Sequence, residues 1–138
     1  MRWLAIAALL CIIAKSAFAE CYPESAAAAE NATRDAKTWQ ALYAIHQRFG
    51  ICDDGAVAKA FSVRVGELLT AQWSSVPDLA KMARRHPKFR TFVLRHIDSS
   101  LTAAQVQTII HSTEGSCAVR QRSLCDAIAA RARKAAAH

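Results

Sequence analysis

The sequence predicts an all-α domain, a compact bundle of about five to six helices, and three observations carry that expectation. Apolar residues recur at spacings of three and four along most of the chain. No stretch alternates apolar and polar residues for long enough to make a strand. Only four Gly and three Pro occur in 138 residues, too little turn chemistry for an all-β fold of this size. An apolar fraction of 53% against 21% charged residues is enough to fill a core, which excludes wholesale disorder.

The first helix is expected to open near Ser25. It runs through an alanine-rich stretch into Trp39, Leu42, Tyr43, His46 and Phe49, which share one face. Gly50 fits the left-handed residue that commonly closes a helix. The second helix follows Cys52-Asp53-Asp54-Gly55, where an aspartate can accept from the free amides of the first turn. Its stripe is Val57, Phe61, Val65, Leu68, Leu69 and Trp73. Ser75-Val76-Pro77-Asp78 starts a short third helix, since proline is tolerated where no amide hydrogen is needed. His86-Pro87 ends it and opens a fourth, with Phe89, Phe92, Val93, His96 and Ile97 facing inward. Thr102-Ala103-Ala104-Gln105 reads as a capping box for the fifth, bearing Val106, Ile109 and Ile110 and ending at Gly115. The last covers about residues 119–134, with Leu124, Cys125 and Ile128 inward.

Residues 1–19 have the parts of a secretory signal: Arg2, an apolar stretch from Trp3 to Ala14, and the small-x-small box Ala17-Phe18-Ala19. Cleavage there leaves residues 20–138 as a single helical domain, expected to be periplasmic or secreted. Cys11 departs with the signal, and Cys21, Cys52, Cys117 and Cys125 remain. Four thiols in an oxidising compartment favour two disulfides, and the absence of any C-x-x-C argues against a thiolate metal site. One straight helix over residues 25–49 would be about 37 Å long and would hold Cys21 and Cys52 apart. That geometry favours Cys52 pairing with Cys117 or Cys125, unless the helix breaks or the N-terminal segment folds back.

The formal charge of +7 is unevenly spread. Residues 20–80 carry 5 basic and 8 acidic side chains, whereas residues 81–138 carry 11 basic and 3 acidic. Lys81, Arg84, Arg85, Lys88, Arg90 and Arg95 flank the His86-Pro87 junction, and Arg120, Arg122, Arg131, Arg133 and Lys134 fall on the last helix. Such a surface attracts anions. Export disfavours nucleic acid, and Phe89 and Phe92 sit at core spacing instead of forming a stacking platform.

Catalytic signals are absent from the sequence: it has no G-x-S-x-G, H-E-x-x-H, P-loop or dinucleotide fingerprint. Asp53-Asp54-Gly55 begins like a calcium loop, but Arg64 stands where the twelfth-position glutamate belongs. His96 and Asp98, two apart on one helix, would project about 200° apart and could not share a metal. No cofactor and no metal is expected.

Over roughly residues 38–130 the chain resembles a family of small exported bacterial all-helical proteins. The residues that carry the likeness are Cys52-Asp53-Asp54-Gly55, Phe61, Leu68-Leu69, Trp73, the run Phe92-Val93-Leu94-Arg95-His96-Ile97-Asp98, and Cys117 with Cys125. The resemblance implies export and a helical fold, and supplies no reaction. More loosely, in size, helicity and disulfides, the chain is similar to periplasmic immunity proteins that neutralise secreted cell-wall amidases.

The expected function is a non-enzymatic periplasmic binding protein, an inhibitor or immunity protein acting on a protein partner in the envelope. The loops 50–55 and 84–90 are its expected contact surfaces, with Asp53, Asp54, Arg84, Arg85, Lys88 and Arg90 as candidate partner-binding residues. Two alternatives stay open. One is an anion- or membrane-surface-binding envelope factor using the basic C-terminal half; the other is a small hydrolase using His96 or Asp53.

Overall fold

A computed structural model describes residues 19–138. The signal expected over residues 1–19 lies outside them, save its last residue. Among the described residues there are seven α-helices and no strand: α1 (Pro23–Asp35), α2 (Trp39–Phe49), α3 (Gly55–Ala71), α4 (Val76–Arg85), α5 (Pro87–Arg95), α6 (Ala103–Gly115) and α7 (Arg122–Ala136). Short 3₁₀ turns, Gly50–Cys52, Trp73–Ser75 and Val119–Gln121, lead out of α2, into α4 and into α7. No helix among the described residues is long and apolar enough to cross a membrane.

One more helix appears than the sequence suggests, because the expected first helix is two. Ala36 turns extended at ψ 124, and Thr38 restarts the helix by accepting the Ala41 amide at 3.1 Å. The break lets the chain double back on itself, and α1 packs along both α2 and α3. Cys21 therefore lies beside Cys52, and those two are bonded, with Cα atoms 4.9 Å apart. The second disulfide joins Cys117 to Cys125 and pins the loop after α6 to the start of α7. The pairing of Cys52 with a C-terminal cysteine is thus corrected: it assumed an unbroken helix over 25–49. Gly50 is also not left-handed; at φ −58 it continues into the 3₁₀ turn.

α3 is the central helix. Val57, Phe61, Val65, Leu68 and Leu69 are all buried within a single core shared with Trp39, Leu42, Leu79, Phe89, Phe92, Ile97, Ile109 and Ile128. Gly66 lets the turn before α6 and its first residues approach closely, since a Cβ there would stand 3.1 Å from Leu101 Cγ and 3.3 Å from Gln105 Nε2. Gly55 opens α3 at φ 51, the left-handed region that glycine enters without strain. The capping box at Thr102 and Gln105 forms as the sequence predicts, both reciprocal bonds present at 3.1 and 2.9 Å. Trp73 leaves the α3 stripe; its indole donates to the Ser116 carbonyl at 3.0 Å and ties the α3 end to the α6 end.

Two arginines cap helix C-termini across the fold, where unpaired carbonyls concentrate partial negative charge. Arg64 on α3 donates to the Thr33 and Arg34 carbonyls at the end of α1. Arg131 on α7 donates to the Leu94 and Arg95 carbonyls at the end of α5 at 2.9 and 3.3 Å. Both belong to the scaffold, not to a free basic surface.

Candidate functional site

The titratable residues gather in a buried chain between the Cys52 loop and the end of α5. The 3₁₀ turn and the Cys21–Cys52 bond fix the loop, and Asp53 turns inward from it with a side chain only 4% exposed. One of its oxygens accepts from His96 Nε2 at 3.0 Å and also pairs with the Arg95 guanidinium. The other oxygen is enclosed without a partner. His96 Nδ1 lies 2.8 Å from Ser62 Oγ, and Ser62 Oγ lies 2.7 Å from Asp98 Oδ2 and 3.1 Å from the Ala58 carbonyl.

His96 and Asp98 thus converge on one hydroxyl, against the expectation that they point apart. The expectation assumed a continuing helix, but α5 stops at Arg95 and the chain swings round the end of it. Asp98 Oδ1 then accepts from the Ser100 amide at 2.8 Å, which sets the turn. Ser62 escaped the sequence reading altogether. A serine between Phe61 and Val63 on a helix carries no local signal; only a tertiary contact across 34 residues makes it a hub.

The histidine of this chain is held toward its neutral form. Burial lowers the His96 pKa below its usual 6.5, opposed by the hydrogen bond and charge of Asp53 and aided by Arg95. With Nε2–H donating to Asp53, the neutral ring accepts from Ser62 at Nδ1. Protonation would reverse that bond and free the Ser62 hydrogen for Asp98, which the neutral ring leaves without it. His46, beside it on α2, is also lowered by burial, with Asp53 opposing and Arg95 and His96 adding to the shift.

A serine, a histidine and an aspartate in sequence invite comparison with a nucleophilic triad, and the geometry speaks against that role. A nucleophile must reach a substrate and surrender its proton to the base. Ser62 is 1% exposed and His96 3%, and three acceptors compete for one hydroxyl hydrogen. The network is a buried clasp between α3, the Cys52 loop and the α5 exit. Among the described residues no group of three or more His, Cys, Asp or Glu side chains is arranged to hold a metal ion.

Of the residues expected to touch a partner, Asp53 turns inward and pairs with His96 and Arg95. Asp54 is exposed and caps α3, accepting the Gly55 amide at 2.8 Å. Arg84, Arg85 and Lys88 are exposed at the α4–α5 corner and Arg90 is half-buried there. Side-chain contacts brace the corner. Gln47 donates to the Tyr43 hydroxyl at 2.6 Å, the hydroxyl lies 3.0 Å from His86 Nδ1, and the Tyr43 and His86 rings stack at 4.5 Å. His86 is the joint between α4 and α5, as the sequence suggests.

Hydrogen bonds and ion pairs sort the cations. Arg34, Arg64, Arg95, Arg122, Arg131 and Arg133 each bond another residue, and Arg48 lies over the Phe49 ring. Arg84, Arg85, Arg90 and Arg120 bond nothing among the described residues, and neither do the Lys81 and Lys88 ammonium groups. Lys37, Lys59 and Lys134 are likewise unpaired, but six of these nine cations lie at the α4–α5 corner and the turn before α7. Compared with known families, curated proteins and solved structures, the chain has no match.

Proposed function

We propose that the protein is an exported, non-enzymatic binding protein of the periplasm, an inhibitor or immunity protein that docks its α4–α5 corner on an acidic face of an envelope-acting enzyme. The observation that carries this reading is the set of cations at that corner, Lys81, Arg84, Arg85, Lys88 and Arg90, with no internal counter-ion. Like charges held together raise the local potential and steer an anionic surface into register. The Tyr43–His86 joint braces the corner and the Cys117–Cys125 bond pins the loop that packs beside α4, which reduces the ordering cost of association. The disulfides belong to an oxidising compartment, in keeping with export. The burial of Ser62 and His96 weighs against the hydrolase alternative.

The test is affinity capture from an envelope extract with the wild-type protein and the R85E/K88E variant in parallel. The expected result is a stoichiometric protein partner retained by the wild type and lost on charge reversal. Absence of any stoichiometric partner, or equal retention by R85E/K88E, would overturn the reading. Retention on anionic vesicles in place of a protein would favour the membrane-surface alternative.

A further inference from the structure

Three of the four unbonded arginines face the same hollow. A cleft of about 290 Å³ between α4, α5 and the turn entering α7 is lined by Arg84, Arg90 and Arg120. Each comes from a different element, so the convergence is a product of the fold and not of one helix face. Ala80 and Ala83 keep one wall low, Gln121 and Ser123 add neutral hydrogen-bonding groups, and no carboxylate lines the cleft.

That arrangement is costly without a ligand. Like charges brought together repel, and half-buried Arg90 gives up hydration with no anion to replace it. The other arginines of the chain show what this fold does with a guanidinium it needs for itself: it gives it a carbonyl, a carboxylate or a ring. Guanidinium forks match tetrahedral oxyanions with paired, charge-assisted hydrogen bonds, and three of them can surround a single group.

We propose that the Arg84–Arg90–Arg120 cleft is an oxyanion-binding site that takes a phosphate group, free or as the headgroup phosphate of a lipid. The site stands independently of the docking reading, although two of its arginines lie at the same corner. Phosphate seated between the three side chains would join α4, α5 and the start of α7, and would stabilise the folded chain by mass action.

The experiment is thermal unfolding of the disulfide-bonded protein with increasing sodium phosphate, against sodium chloride at matched ionic strength. A saturable rise in the midpoint with phosphate alone is expected. R120Q, at an exposed position, and R90Q should each weaken the apparent affinity about tenfold or more, the loss expected for one charge-assisted hydrogen bond. R133Q, whose side chain pairs with Glu114 elsewhere, should stay within about twofold of wild type. A second arm uses vesicles containing phosphatidylglycerol: retention lost in R120Q and competed by inorganic phosphate identifies the lipid source, whereas a phosphate response without retention identifies a free oxyanion. No difference between phosphate and chloride together with retention unaffected by R120Q overturns the proposal, as does an equal loss in R133Q and R120Q.

Discussion

Replacing Ser62 with alanine removes one oxygen from the centre of the buried clasp, and its cost follows from what that oxygen touches. His96 Nδ1, 2.8 Å away, is left enclosed without a partner, and Asp98 Oδ2 loses a neighbour at 2.7 Å. A buried polar atom stripped of its partner costs about 1–3 kcal/mol. Asp98 is half-buried, so water recovers part of its loss and the Ser100 amide still holds its other oxygen. One hydroxyl hydrogen is lost, so the cost is about 1–3 kcal/mol, a sizeable part of the about 5–15 kcal/mol typical of a domain. Urea unfolding followed by far-ultraviolet circular dichroism would measure it, with a lower midpoint and an unchanged slope. Ser99→Ala, at an exposed neighbouring position, should stay within about 0.5 kcal/mol. A loss for Ser62→Ala no larger than that control would refute the claim that the network holds the fold.

Acidification should destabilise the fold through the same residues. His96 and His46 have folded pKa values below 6.5, so their contribution is fully present above about pH 6.5 and is lost as pH falls below it, where the unfolded chain binds more protons. Unfolding midpoints at pH 7.5 and 5.5 should show that loss, and His96→Gln should flatten it; a wild-type midpoint that rises on acidification contradicts the assignment. The two disulfides should differ in weight, because the Cys21–Cys52 bond closes a separation of 31 residues and the Cys117–Cys125 bond one of 8. Chain entropy assigns them about 3.7 and 2.5 kcal/mol, so the C21S/C52S protein should melt below C117S/C125S, and the reverse order would count against that account. Gly55→Ala should cost about 1–2 kcal/mol through its backbone alone, since nothing lies within 4 Å of the added carbon; a neutral result by chemical denaturation would show that the turn relaxes.

Helix starts were the legible part of this fold because their chemistry is local. Thr102 and Gln105 cap each other within four residues, and Pro77 and Pro87 stand where a missing amide hydrogen costs nothing. The break after Asp35 was harder to read, since Ala36 favours a helix and only the Thr38 side chain resists one. That one residue decided the Cys21–Cys52 pairing. The buried clasp was half visible: His96 and Asp53 stood out as residue types, but Ser62 gains its meaning only from the return of α5 against α3. Charge was legible as a count and illegible as a surface. Arg131 and Arg90 look alike in sequence, yet one caps α5 and the other faces an open cleft with no partner.

The separation of a structural interior from a binding surface is the central claim, and titration calorimetry of the captured partner against two variants tests it most directly. S62A should bind the partner with wild-type affinity at a temperature where it remains folded, because its lesion lies inside the clasp. R85E/K88E should lose at least about tenfold in affinity with its thermal midpoint unchanged. Affinity lost in S62A and kept in R85E/K88E would contradict the account and place the function at the buried Ser62–His96–Asp53 network instead.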